Sequence, residues 1–126
     1  MGADLYIKGW HAGFDYNDKE HYFRDSYNGT SVLWTLDLSW WQDVTPLLNK
    51  EGHLTGNNLT KFRDKVANAK QTLPDTNKLK EMGCAVKPRG QESVKGWHKY
   101  YTEKKQRLLD FLDRAIKLET YIDCSL

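Results

Sequence analysis

At 126 residues, with 39% apolar and 29% charged side chains, the chain suits one soluble domain around a single core, which excludes a disordered polymer and two independent folding units. A formal charge of +2 lacks the strongly basic balance of a nucleic-acid-binding domain, so nucleic acid is not an expected partner. No apolar run reaches the roughly 20 residues that span a bilayer, so no membrane association is expected.

Ala3, Leu5 and Ile7 alternate with Asp4, Tyr6 and Lys8, the period of a half-buried strand ending near Gly9. Residues 11–30 mix Gly, Asp, Asn and aromatics, and a short helix is predicted over 18–27 before the Asn28-Gly29 turn signal. Val32, Leu33 and Leu36 suit one helical face, and Trp40, Trp41, Val44, Leu47 and Leu48 another. Pro46 interrupts the second pattern, so a broken helical region is predicted there, with Thr45 as the cap of a new turn.

Residues 52–56 read as a loop, followed by a cap at Asn57 or Asn58 and a helix carrying Leu59, Phe62, Val66 and Ala69. Leu73-Pro74-Asp75 opens a short helix through Met82, which Gly83 stops. Residues 84–87 are the only other strand-like piece. After the linker at 87–90, the strongest helical signal runs over about 92–121, with Trp97, Tyr101, Leu108, Leu112, Ala115 and Ile122 on one stripe and Gly96 as an alternative start. The predicted class is α+β, mainly helical: a short N-terminal strand, several short helices and one long C-terminal helix in a single domain.

Ten of the sixteen aromatic residues fall within the first 41 positions. Arg24 and Asp25 are flanked by Tyr22, Phe23 and Tyr27, so the guanidinium can stack on a ring while its fork grips a phosphate or carboxylate. The internal alternative pairs Arg24 with Asp37 or Asp43 and buries the rings. Trp40 and Trp41 are adjacent, and adjacent helical residues diverge by about 100°, so one of the two belongs at the edge of the core or on the surface, where a Trp is a common interface anchor. The predicted binding set is therefore Tyr22, Arg24, Asp25, Tyr27, Asp37, Trp40 and Trp41.

His11, Asp15, Asp18, His21 and Asp25 form the alternative, a metal or acid-base cluster, because a helix would bring positions 18, 21 and 25 near one face. Their spacing matches neither the zinc-binding helix pattern nor the calcium loop, and no metal is expected. No Gly-x-Ser-x-Gly, phosphate-loop or dinucleotide pattern occurs, which leaves a nucleophilic hydrolase and a nucleotide-cofactor enzyme unsupported and no cofactor expected.

Charge is unevenly placed. Residues 1–62 hold five Lys/Arg against eight Asp/Glu, net −3, and residues 63–126 fourteen against nine, net +5. Lys78, Lys80, Lys87, Arg89, Lys95, Lys99, Lys104, Lys105 and Arg107 surround Trp97, Tyr100 and Tyr101, a composition that suits single-stranded nucleic acid. Glu81, Glu92 and Glu103 interrupt it, and the expectation is a solvated helix face. Cys84 and Cys124 fit no metal or redox spacing and the start lacks a signal peptide's basic and apolar regions, so a reducing, cytoplasmic setting is expected.

The opening Met1-Gly2-Ala3-Asp4-Leu5-Tyr6-Ile7 and the segments Tyr22-Phe23-Arg24-Asp25-Ser26-Tyr27-Asn28, Val32-Leu33-Trp34 and Leu38-Ser39-Trp40-Trp41 resemble those of small bacterial and bacteriophage proteins over roughly the first third of the chain. The resemblance carries no activity, cofactor or catalytic residue. It implies an accessory protein of a phage or mobile element that blocks a host factor or captures a signalling nucleotide. The leading expectation is thus a non-catalytic protein that binds another protein. The alternatives are a binder of a nucleotide or small anion, with Arg24 and C-terminal lysines on phosphate, and a metal-dependent enzyme. Oligomeric state is not readable from the sequence.

Overall fold

The computed structural model describes residues 2–7, 20–26 and 30–126. In chain order it contains β1 (Gly2–Ile7), β2 (Tyr22–Ser26), α1 (Val32–Thr35), a π-helical turn (Trp40–Val44), a 3-10 turn (Thr45–Leu47), β3 (His53–Leu54), α2 (Gly56–Asn68), α3 (Thr76–Glu81), α4 (Val94–Lys117) and β4 (Ile122–Ser125). The fold is α+β and mainly helical, as its sequence predicts.

The four strands form an antiparallel sheet in the order β2-β1-β4-β3. Alternation in β1 places Ala3, Leu5 and Ile7 on the inner face, where Leu5 pairs with Phe23 of β2 and Ile7 with Ile122 of β4. The helices cover that face: Leu59, Phe62 and Val66 of α2 and Tyr101, Leu108, Phe111, Leu112 and Ala115 of α4 are all buried against it. At roughly 1.5–3 kcal/mol for each fully buried large apolar side chain, this interface is the main source of stability.

The helix predicted over 18–27 is replaced between Tyr22 and Ser26 by β2. Pairing with β1 supplies the backbone hydrogen bonds and turns Phe23 and Asp25 inward while Arg24 faces out. The region around Pro46 is broken as predicted, but Thr45 is not a side-chain cap. Its Oγ1 donates to the Trp40 carbonyl at 3.4 Å, and Val44 precedes the 3-10 turn without a capping bond. Residues 52–56 contain β3, and residues 84–87 are irregular rather than extended in the sheet.

Helix α2 begins one residue before the predicted cap, after Thr55. Helix α3 is capped by Asp75, whose carboxylate accepts from Lys78 N at 2.8 Å, and ends before Gly83 at φ +86. Helix α4 is capped by Ser93, accepting from Gly96 N at 3.0 Å. It stops at Lys117, short of the predicted end, and Glu119 at φ +52 reverses the chain into β4. Ile122, predicted on the helical stripe, is buried on the sheet instead. Among the described residues no helix is long and apolar enough to cross a membrane.

Candidate functional site

Position 25 lies on the inner face of β2, so the fold must compensate a carboxylate in an apolar environment. Four donors converge on it. Ser31 Oγ donates to Oδ2 at 2.7 Å, Trp40 Nε1 to the same oxygen at 2.8 Å, Val32 N to both oxygens at 3.1 Å, and Lys104 Nζ meets Oδ1 at 3.1 Å. Lys104 is itself buried and also donates to Tyr100 Oη at 2.9 Å. The carboxylate therefore joins β2 to the N-terminus of α1, the π-helical turn and the middle of α4. Asp25 and Trp40, both in the predicted binding set, lie in the interior: Asp25 is 2% and Trp40 1% exposed, and Trp40 packs on Phe62 at 5.8 Å.

The adjacent Trp behaves oppositely, as the 100° divergence requires. Trp41 is 56% exposed, and Trp34, which was not among the predicted binding residues, is 50% exposed. Between α1 and the segment leading into α3 lies a groove of about 440 Å³, walled by Trp34, Asp37, Leu38 and Gln42 on one side and Thr72, Pro74, Lys78 and Met82 on the other. Both walls are tied to the core. Thr72 N donates to Thr35 O at 2.8 Å, Gln71 Nε2 to Tyr101 O at 3.1 Å, and His98 Nε2 lies 2.6 Å from Pro74 O.

Asp37 closes α1. Asp37 N donates to Trp34 O at 3.3 Å and Leu38 N to Leu33 O at 2.8 Å, a paired C-terminal motif that puts Asp37 at φ +58. That conformation favours glycine, and here it carries an exposed carboxylate at the groove mouth.

The remaining predicted residues scatter. Arg24 pairs with Asp4 at 2.9 Å on the outer face of the sheet, not with Asp37 or Asp43, and Asp43 pairs with Lys65 at 3.3 Å. Tyr22, another of the predicted binding residues, is buried. Its hydroxyl donates to Asp4, and burial followed by that bond raises its pKa above the usual phenol value. Hydrogen bonding to Tyr22 and the charge of Asp4 raise that of Arg24, which stays a cation. Tyr27, His11, Asp15 and Asp18 lie outside the described residues. His21 and Asp25 are separated by extended chain, about 13 Å at 3.3 Å per residue, instead of one helical turn. Among the described residues no three His, Cys, Asp or Glu side chains are grouped to hold a metal ion.

Trp34 was hidden from sequence reasoning because Val32 and Leu33 already satisfy an apolar helical face. The signal that points to it is the shortness of α1, four residues with three buried, which leaves the fourth outside. No protein family, curated protein or solved structure matches the chain.

Proposed function

We propose that this chain is a non-catalytic interaction protein, and that its partner is a protein whose apolar side chain enters the groove beside Trp34 while a basic group meets Asp37. The observation that carries this reading is the exposure of Trp34, on a groove wall hydrogen-bonded to the core, with a second exposed ring, Trp41, seven positions on beside the Gln42 end of that wall. Trp is enriched at interface hot spots, where truncating one ring costs about 2 kcal/mol or more. Preformed walls limit the ordering cost of association. Such a protein fits an accessory role in which a small chain blocks a larger one.

A photo-crosslinking amino acid at position 42, on the groove wall, tests the reading in cells that express the protein. A discrete protein adduct is expected from position 42 and none from position 61, which is exposed on α2 away from the groove. The same adducts from both positions, or none from position 42, would contradict it.

A further inference from the structure

A second hollow, of about 610 Å³, lies where α3, the turn at 87–93 and the start of α4 meet; Lys80, Lys87, Arg89 and Lys95 are in its lining and no Asp or Glu is. Only Lys87 is neutralised, by Glu92 at 3.2 Å. Lys80, Arg89 and Lys95 are exposed and have no ion-pair partner among the described residues. Three unmatched cations around one concavity repel one another, and an anion that enters relieves them.

Gly90, on the rim of this hollow, is shared with a neighbouring depression that holds Trp97 and Tyr100. Trp97 is fixed by its Nε1 bond to Ala85 O at 2.9 Å and stands edge-on to Tyr100, whose ring is exposed. The acids of that depression are matched, Glu92 by Lys87 and Glu103 by Lys99 at 3.9 Å. The ridge between the two hollows is tied to the start of α4. Ser93 Oγ donates to Gly90 O at 2.7 Å, and the turn lies so close to α4 that a Cβ on Gly96 would come within 2.4 Å of Gln91 O.

From this juxtaposition we infer that the surface binds a single-stranded nucleic acid, its phosphates between Lys80, Arg89 and Lys95 and a base on the Tyr100 ring. Cations beside an exposed aromatic are the pairing that single strands require, because every base has a face that stacks on a ring while its phosphate meets a cation. Lys95 and Tyr100 are five residues apart on α4, about 7.5 Å at 1.5 Å per residue, so a chain of nucleotides reaches both where one phosphate group does not. A duplex would hide its bases from the ring.

The test is fluorescence anisotropy of a labelled short oligonucleotide of mixed sequence, titrated with the whole protein at several salt concentrations. Binding that weakens with salt is expected. A Lys80→Gln, Arg89→Gln, Lys95→Gln triple variant with an unchanged urea midpoint should bind at least tenfold more weakly, with its salt slope reduced by about 2, near 0.7 for each lost phosphate contact. Tyr100→Leu should weaken binding at least fivefold without altering that slope. No binding at low salt, or full binding by the triple variant, would overturn the inference. So would polyglutamate or a mononucleotide competing as well as the unlabelled strand, because the ligand would then be an acidic protein or a free nucleotide.

Discussion

An unpaired carboxylate on the inner face of β2 would destabilise the fold by several kcal/mol, and the donors around Asp25 offset that cost only while all of them remain. Asp25→Ala strands the Lys104 ammonium in the interior and should lower unfolding free energy by about 3–5 kcal/mol in urea titrations. A Lys104→Met, Asp25→Asn pair should recover part of the loss, because it removes both charges while an amide oxygen still accepts from the Ser31, Val32 and Trp40 donors. Trp40→Ala should cost about 3–5 kcal/mol as a core truncation, while Trp41→Ala, at a ring 56% exposed, should cost clearly less. Equal losses at 40 and 41 would show that the two rings are not divided between core and surface.

Cys124 sits on the inner side of β4, and burial pushes its thiol from the usual 9.0 up to about 12. The folded state therefore holds a proton that the unfolded state releases. The contribution is fully present below pH 9 and is lost as pH rises toward 12. Urea midpoints should fall across that window, and Cys124→Ala should flatten the fall. An identical decline in the variant would assign the loss to other groups.

At the scale of elements, two residues set local propensity against tertiary need. Gly96 lies inside α4, where Ala would be favoured by about 1 kcal/mol, yet the Gln91 carbonyl occupies the space that a Cβ would take. Gly96→Ala should therefore destabilise the protein, and a gain in melting temperature would refute the close approach of turn and helix. Asp37 is the reverse case: glycine suits its φ of +58 better by about 1 kcal/mol, so Asp37→Gly should raise stability while it weakens the crosslink at position 42. Local code explains which elements were legible. Alternation marked β1, the spacing of Leu59, Phe62 and Val66 marked α2, and Asp75 with Gly83 bracketed α3. β2 was not legible, because Tyr22 to Ser26 mixes polar and aromatic side chains on both faces and only pairing with β1 decides the period.

At the scale of the whole molecule, the sheet is assembled from both ends of the chain. β4 pairs with β1 across more than a hundred residues and β3 contributes two residues, so neither leaves a local signature. Ile122 fits a helical stripe and a strand equally well, and the turn at Glu119 chooses between them. The candidate groove is likewise non-local, since Trp34 and Asp37 meet Pro74, Lys78 and Met82 only after α1 and α3 dock. Of the predicted binding residues, Asp37 reaches that groove and Trp41 lies beside its Gln42 wall. Asp25 and Trp40 instead build the interior that holds it in place.

Among the described residues of the aromatic N-terminal third, Asp25 and Trp40 lie in the core while Trp34 and Trp41 are exposed, and it is the exposed pair that is proposed to receive a partner. The most direct test is a Trp34→Ala, Trp41→Ala double variant, measured both for its urea midpoint and for the protein adduct formed from position 42. A midpoint well above that of Trp40→Ala, together with loss of the adduct, is expected. A collapsed midpoint, or an adduct that survives, would contradict it.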